Sequence, residues 1–345
     1  MFVSMCPRIY IRRRPRPSHK YKIRMRPQSA SSITTFNQQY LCKIFTQLVQ
    51  QVYKKRKLLR NMSKTKSTVF RTEPFECNAA IVCRSVPNSL KDQALRTNFE
   101  DEVNLDEAKS QHQEYKSALG KINGLDLSWV EPQEALPDCV FVEDCAVVAD
   151  GVALITRPCA PSRRNEVDEI RRILRDDLRQ KIYEIEDPKA TLDGGDVLFT
   201  GEEFFVGISK RTNSQGANAL AKAFPNYPVS SIRVDEHLHL KSMMSMAAPG
   251  ILAVGSSPAA QSALKQILQK SDYDYCTLTL PDDEAANCVY VKGFLLHCTK
   301  QEYPNSYKIF EERFSNDVRI PIPNSELHKV DGGLTCRCIL VQKPL

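Results

Sequence analysis

From Ala79 onward, short apolar runs alternate with stretches whose apolar residues recur every three or four positions. Val103, Leu105, Ala108, His112, Tyr115 and Leu119 share one helical face and predict a helix, with Gly120 as the glycine just past its end. Runs at 139–148 and 152–156 predict strands. Ser162 offers an N-cap for a helix whose apolar stripe is Val167, Ile170, Ile173, Leu174 and Leu178, with Glu166, Asp168 and Glu169 near its positive end. The cycle then repeats. A strand at 181–185 leads to a hairpin over 197–208 turning at Gly201, Glu202 and Glu203, then a helix at 215–224 and a strand at 229–234. A strand at 250–254 precedes Ser257-Pro258, a cap-plus-first-turn pair for a helix over 259–270. Strands at 276–280, 288–291 and 294–298, a helix at 305–314 and strands at 319–322 and 334–341 complete the chain. The unit is strand, strand, helix, strand, seen four or five times without a visible sequence repeat, so the periodicity is architectural.

Composition divides the chain in two. Its 345 residues carry a formal charge of +7, but residues 1–72 hold 18 of the 48 Lys and Arg and no acid before Glu73. The body, 73–345, is left with 30 basic against 41 acidic residues, a net of −11. A basic surface over the whole fold is excluded, and with it nucleic-acid binding by the body. The first 72 residues read as a basic, unstructured extension. Their arginines and serines suit a mitochondrial transit peptide or a polyanion-binding arm. Residues 1–61 also read as an optional extension ahead of Met62. No run is apolar enough to span a membrane. Twelve Cys occur without a C-x-x-C pair, and six His stand singly, so a zinc knuckle is not expected and the thiols read as reduced, in a cytoplasmic protein, or a mitochondrial one if 1–61 acts as a transit peptide. No G-x-G-x-x-G or P-loop follows a strand, so nucleotide binding has no support. Oligomeric state stays open.

Charged residues inside apolar strands are the informative anomaly, because burying charge is costly unless it is paired or used. In L-P-D-C-V-F-V-E-D-C, Asp138, Glu143 and Asp144 suit a guanidinium or ammonium ligand, or else face water from an edge strand. In T-L-D-G-G-D-V, Asp193 and Asp196 flank a glycine pair that allows close backbone approach or simply makes a tight turn. In H-L-H-L-K-S, His237 and His239 share a face if the segment is extended; one of them suffices for acid–base work, and a solvent or core histidine is the plain alternative. In V-D-G-G-L-T-C-R-C, Cys336 and Cys338 enter a strand after a glycine pair, where a thiolate nucleophile or a packed core cysteine would sit. Arg163 in A-P-S-R-R and Arg211 in S-K-R-T-N could clamp a substrate carboxylate.

These motifs, in this order and nearly letter for letter across residues 79–342, resemble the dimethylarginine dimethylaminohydrolases of the guanidino-group modifying, amidinotransferase-like superfamily. The resemblance implies an α/β fold, a five-bladed pseudo-fivefold propeller of ββαβ modules around a central channel. It implies hydrolysis of asymmetric dimethylarginine or monomethylarginine to citrulline and a methylamine, relieving inhibition of nitric oxide synthesis, without a required cofactor or metal. Carried over residue by residue, Cys336 resembles the nucleophile, His239 the general acid/base and Asp193 the group that orients it. Asp144 would hold the guanidinium, with Glu143 supporting it. Asp138 and the carbonyls of Leu95 and Val330 would take the α-ammonium, and Arg163 and Arg211 the α-carboxylate. Residues 87–100 resemble a mobile lid. The extra His237 and the second thiol, Cys338, depart from the simplest pattern; an inhibitory disulfide or zinc ion at Cys336 would use that thiol. An arginine or agmatine deiminase and a catalytically silent methylarginine binder remain as alternatives, the two arginines counting against agmatine and the Cys–His–Asp set against a pure binder.

Overall fold

The computed structural model describes residues 66, 67 and 69–344. The chain divides after Lys64, and the unit Met1–Lys64, with nearly all of the basic extension expected over 1–72, lies outside the described residues.

The described residues form five three-stranded sheets, and each has the same internal order. A first strand pairs antiparallel with a second, which pairs parallel with a third reached through a helical crossover. In the second blade these are β3 (Ala146–Ala149), β4 (Val152–Ile155) and β5 (Lys181–Glu184). The third blade has β6 (Val197–Phe199), β7 (Phe204–Ile208) and β8 (Val229–Arg233), and the fourth β9 (Met244–Ala248), β10 (Ile251–Gly255) and β11 (Cys276–Leu280). The fifth has β12 (Val289–Val291), β13 (Phe294–His297) and β14 (Arg319–Pro321). The first blade closes the ring: β1 (Ala79–Cys83) pairs parallel with β2 (Asp126–Val130) and antiparallel with β15 (Cys338–Val341), so the C-terminal strand completes a sheet begun at the other end of the body. This is the pseudo-fivefold α/β propeller that the resemblance implied, and the repeated strand, strand, helix, strand units agree with it. Parallel pairs need a crossover, which is why each blade carries a helix, among them α1 (Leu105–Gly120), α2 (Ser214–Ala223) and α3 (Pro258–Lys270).

The site depends on a second regularity. A short 3-10 turn precedes the first strand of every blade: Val142–Cys145, Gly194–Asp196, Leu240–Ser242, Glu284–Ala286 and Thr335–Arg337. The residues expected on strands at 143–144 and 336 lie on these turns instead. The strands expected over 139–148 and 334–341 are therefore shorter, starting at Ala146 and Cys338, and Cys336 and Cys338 do not share a strand face. Their apolar runs are continuous because the turns are buried as thoroughly as the strands. β9 was missed because its M-S-M-A-A lacks the branched residues that mark a strand. Gly120 is the last residue of its helix rather than a left-handed terminator, and the positive φ falls at Gly124. Ser162 caps nothing; the helix it was expected to start begins as a 3-10 turn at Pro161.

The body also starts earlier than the boundary expected at 72/73. Ser67 bridges to Tyr273, the Phe70 ring packs at 5.6 Å from Tyr273 and 5.2 Å from Tyr275, and Arg71 pairs with Glu202. Gly250, at φ 71°, sits under Phe70, where a Cβ would come within 2.4 Å of the ring. Phe70→Ala is therefore expected to lower stability by about 1–2 kcal/mol, less than a core phenylalanine because the ring is half-buried. Chemical denaturation checks this, and an unchanged midpoint would return residues 66–72 to a free extension.

Candidate active site

The five turns converge, and four of them bring ionisable groups together in the interior. Asp193 has no exposed surface. Its Oδ1 accepts from the backbone N–H of Cys159 at 2.9 Å, which leaves Oδ2 facing His239 Nε2 at 3.1 Å. The imidazole's other edge lies against Gly195, where a Cβ would stand 2.8 Å from Nδ1, so only glycine lets the ring in. Asp144 Oδ1 accepts from Gly195 N–H at 2.8 Å. Burial works against the His239 cation, yet the charge of Asp144, the bond to Asp193 and the charge of Asp196 outweigh it, and the group is raised from 6.5 to about 9. Asp144 goes the other way: despite burial, His239, Arg163 and the Gly195 amide hold it well below the usual carboxylate range.

Cys336 sits on the last turn, half-buried, with Gly333 N–H directed at its sulfur at 3.3 Å. Burial, then the charges of Glu143 and Asp144, push its thiol up to about 12. Glu143 is itself held by Lys241 Nζ at 2.5 Å and Thr335 Oγ1 at 2.8 Å. A cavity of about 310 Å³ opens beside Cys336, bounded among others by Thr97, Asn98, His237 and Asp331. A second, of about 190 Å³, is bounded by Glu143, Lys241 and Thr335 and by apolar Phe75, Val147 and Phe199, and shares no wall residue with the first. Cys338 belongs to the second.

The expected ligand grips differ in how free they are. Arg163 is 5% exposed, and four of its five N–H donors are committed inward. Nε faces Glu166, Nη2 donates to Glu166 and the Phe141 carbonyl, and Nη1 reaches Asp144 at 2.5 Å. One Nη1 proton is left for a carboxylate, so Arg163 is foremost the partner of Asp144, contrary to the expectation of a full clamp. Arg211 is freer, 4.0 Å from Asp193 Oδ2. Asp138 is buried, its carboxyl raised by that burial against the pull of Arg163, and it accepts from Leu95 N–H at 3.1 Å. Thr97 donates through both N–H and Oγ1 to Asp331 at 2.6 Å, next to buried Val330. Those bonds fasten the segment over 87–100 that was expected to be a lid. His237 is on the wall of the cavity beside Cys336 but outside the carboxylate cluster: its Nε2 pairs with Asp283 at 2.9 Å, and His239 is the histidine in the cluster.

Sequence reasoning left Asp196, Lys241 and Thr335 without roles. Asp196 accepts from Leu240 N–H at 2.9 Å and fixes the turn after His239. Its place as the second Asp of the glycine-pair motif was the available signal. Asp144, Asp193 and His239 offer three ligand atoms within 4.8 Å of one another. A metal cation there would face the His239 cation and compete with Arg163 for Asp144, so the donor set fits acid–base work better than metal binding.

The match to known proteins covers the same residues. The family described as N,N dimethylarginine dimethylhydrolase, eukaryotic, matches residues 84–342. The human protein named putative hydrolase DDAH2 is 39% identical over 272 residues, 77% of this chain and 94% of that one. The N(G),N(G)-dimethylarginine dimethylaminohydrolase of Pseudomonas aeruginosa is 30% identical over 264 residues, 74% of this chain and 96% of that one. Among solved structures, a cysteine-to-serine variant of the Pseudomonas aeruginosa enzyme complexed with citrulline superposes with a TM-score of 0.66 at 29% identity, covering 77% of this chain and all of that one. The N-terminal domain of a cyanobacterial arginine dihydrolase, at 18% identity and a TM-score of 0.65, shares the fold.

Removing the anion beside the imidazole tests the geometry directly. Asp193→Asn is expected to drop the His239 pKa from about 9 by one unit or more, because the cation loses its hydrogen-bonded counter-charge while its burial remains. Histidine ring titration by NMR reads the value, and an unmoved titration would mean that Asp193 does not hold the ring.

Proposed function

The chain belongs to the N,N dimethylarginine dimethylhydrolase family, and we propose that it hydrolyses Nω-methylated arginines to citrulline and a methylamine through a covalent Cys336 intermediate. The observation that carries this is the buried His239 held by Asp193 at 3.1 Å, with Asp144 acting on both that imidazole and the Cys336 thiol. Such a site is poorly reactive while empty and becomes reactive when a cation enters.

The steps follow from the charges. The substrate guanidinium enters beside Asp144 and Glu143, whose carboxylates oppose the thiolate in the free protein. Its positive charge offsets theirs and lowers the Cys336 pKa, and the thiol proton passes to solvent. The thiolate attacks the guanidinium carbon, forming a C–S bond. His239, protonated at neutral pH, donates its proton to the methylated nitrogen as the C–N bond breaks, and the amine departs. Neutral His239 then takes a proton from water, whose oxygen bonds to the same carbon; the C–S bond breaks, the remaining hydroxyl proton passes to the departing sulfur, and citrulline, thiol and imidazolium result. Asp193 keeps the imidazole in place through both transfers. At the other end of the substrate, Asp138 and the Leu95 and Val330 carbonyls take the ammonium, while Arg211 and the remaining Arg163 donor take the carboxylate. No step calls for a metal or organic cofactor. Removing methylarginines relieves inhibition of nitric oxide synthesis wherever both occur.

Cys336→Ser and His239→Ala should each cut citrulline formation from asymmetric dimethylarginine by at least a thousandfold, and wild-type kcat/KM should climb as pH rises from 6 towards 9, as thiolate becomes accessible. Near-normal turnover in either variant, or a wild-type protein inert toward methylarginines, would sink the proposal. For the lid, Thr97→Val removes the hydroxyl bond to Asp331 and should raise KM about threefold to tenfold with little change in kcat, since the bond bears on substrate retention and not on the reacting atoms. A fall confined to kcat would place Thr97 in the chemistry instead.

A further inference from the structure

The fifth blade's inward turn places Glu284 on the wall of the cavity beside Cys336. It ends at Asn287, an amide 5% exposed. Every hydrogen-bonding valence that this amide turns inward is used on the catalytic turns. Its Oδ1 accepts from Thr335 N–H at 2.8 Å, and its Nδ2 donates to Thr335 Oγ1 at 3.0 Å and to the Lys241 carbonyl at 2.8 Å. Thr335 Oγ1 donates onward to Glu143, and Glu143 is bound to Lys241 Nζ. The result is a closed ring of hydrogen bonds, Asn287 to Thr335 to Glu143 to Lys241 and back to Asn287, drawn from four different blades.

The ring's members are neighbours of the reacting groups in sequence. Thr335 immediately precedes Cys336, and Lys241 follows His239 by two residues on the turn that His239 opens. Within the ring, Asn287 alone ties the main chain of the nucleophile turn, at Thr335 N–H, to the main chain of the acid–base turn, at the Lys241 carbonyl. Gly333, whose N–H points at the Cys336 sulfur, is packed against the same amide: a Cβ there would lie 2.5 Å from the Asn287 side-chain carbon.

We propose that Asn287 is a positioning residue that holds the Cys336 turn in register with His239, so that proton donation to the departing amine coincides with attack by sulfur. This rests on the hydrolase reading above. Amide chemistry is suited to it, since one planar group supplies the acceptor and both donors that the two turns require and adds no charge beside a thiol already burdened by carboxylates. An aspartate would keep the acceptor for Thr335 but set a carboxylate oxygen against the Lys241 carbonyl.

The test compares two substrates with Asn287→Ala. Dimethylarginine needs a proton on its leaving nitrogen, whereas S-methyl-L-thiocitrulline sheds a thiolate, which leaves without one. The variant should lose about 100-fold in kcat on dimethylarginine with KM within about threefold of wild type, and less than tenfold in kcat on the thio substrate. Asn287→Asp, which keeps the acceptor for Thr335 N–H and loses both donated bonds, should show the same unequal loss, and it carries the test if the alanine variant does not fold. Equal losses on both substrates, or none on either, overturn the positioning role. A wild-type protein that turns over neither substrate overturns the hydrolase reading on which it stands.

Discussion

An unequal balance of buried charge governs this protein. Asp138, Glu143, Asp144, Glu166, Asp193 and Asp196 are all less than 9% exposed, and they answer to Arg163, Lys241 and the His239 cation, with Arg211 at the edge. The deficit shows in the carboxyls that cannot find enough positive charge. Burial lifts Glu166 to about 7 despite its contact with Arg163, and lifts Asp196 to about 6 against the pull of His239. Burying charge without full compensation costs several kcal/mol per ion, and the fold retains it here. A cationic ligand completes the set.

The same imbalance governs the nucleophile. A thiol held at about 12 is almost wholly protonated at neutral pH, and a protonated thiol is a poor nucleophile and slow to oxidise. Reactivity then arrives with the substrate's own charge. The imidazole is tuned in the opposite sense by the same carboxylates, which keep it cationic and ready to donate. One cluster of acids therefore keeps the imidazole ready to donate and the thiol protonated until a cation arrives, with Asp193 holding the ring.

The propeller makes such a cluster affordable in sequence terms. Each blade needs a connection into its innermost strand, and a short 3-10 turn at that place points inward in all five. All five carry an ionisable or nucleophilic side chain, and the fifth adds an amide, Asn287, at its end. Because the turns belong to different blades, residues as far apart as Glu143 and Thr335 are hydrogen-bonded at 2.8 Å. The blades themselves were largely legible from apolar periodicity, since most strands and crossover helices carry their own pattern, β9 excepted. The turns were not, because a buried 3-10 turn flanked by strand reads as one apolar run, as at 139–148. Candidate chemistry was legible through charges in apolar surroundings, which marked Asp144, Asp193, His239 and Cys336. What pairs with what was not. Nothing in A-P-S-R-R shows that Arg163 turns four donors inward, and an asparagine in E-A-A-N-C carries no anomaly to notice.

That difference separates two kinds of site residue. A residue placed against its environment, such as a carboxylate among valines, announces itself because its burial demands an explanation. A residue that satisfies its environment, such as an amide with three well-made hydrogen bonds, is silent in sequence for the very reason that it is effective in structure. His237 is the converse. It stood out beside His239 in H-L-H-L-K-S, yet a pairing with Asp283 accounts for it away from the cluster. The bend at Glu236, with φ 70°, and the turn starting at Leu240 break the extended geometry that would have put both rings on one face. Spacing in sequence carries information about a site only where the backbone conformation it presumes is the one the fold adopts, and at the inward turns of this propeller it is not.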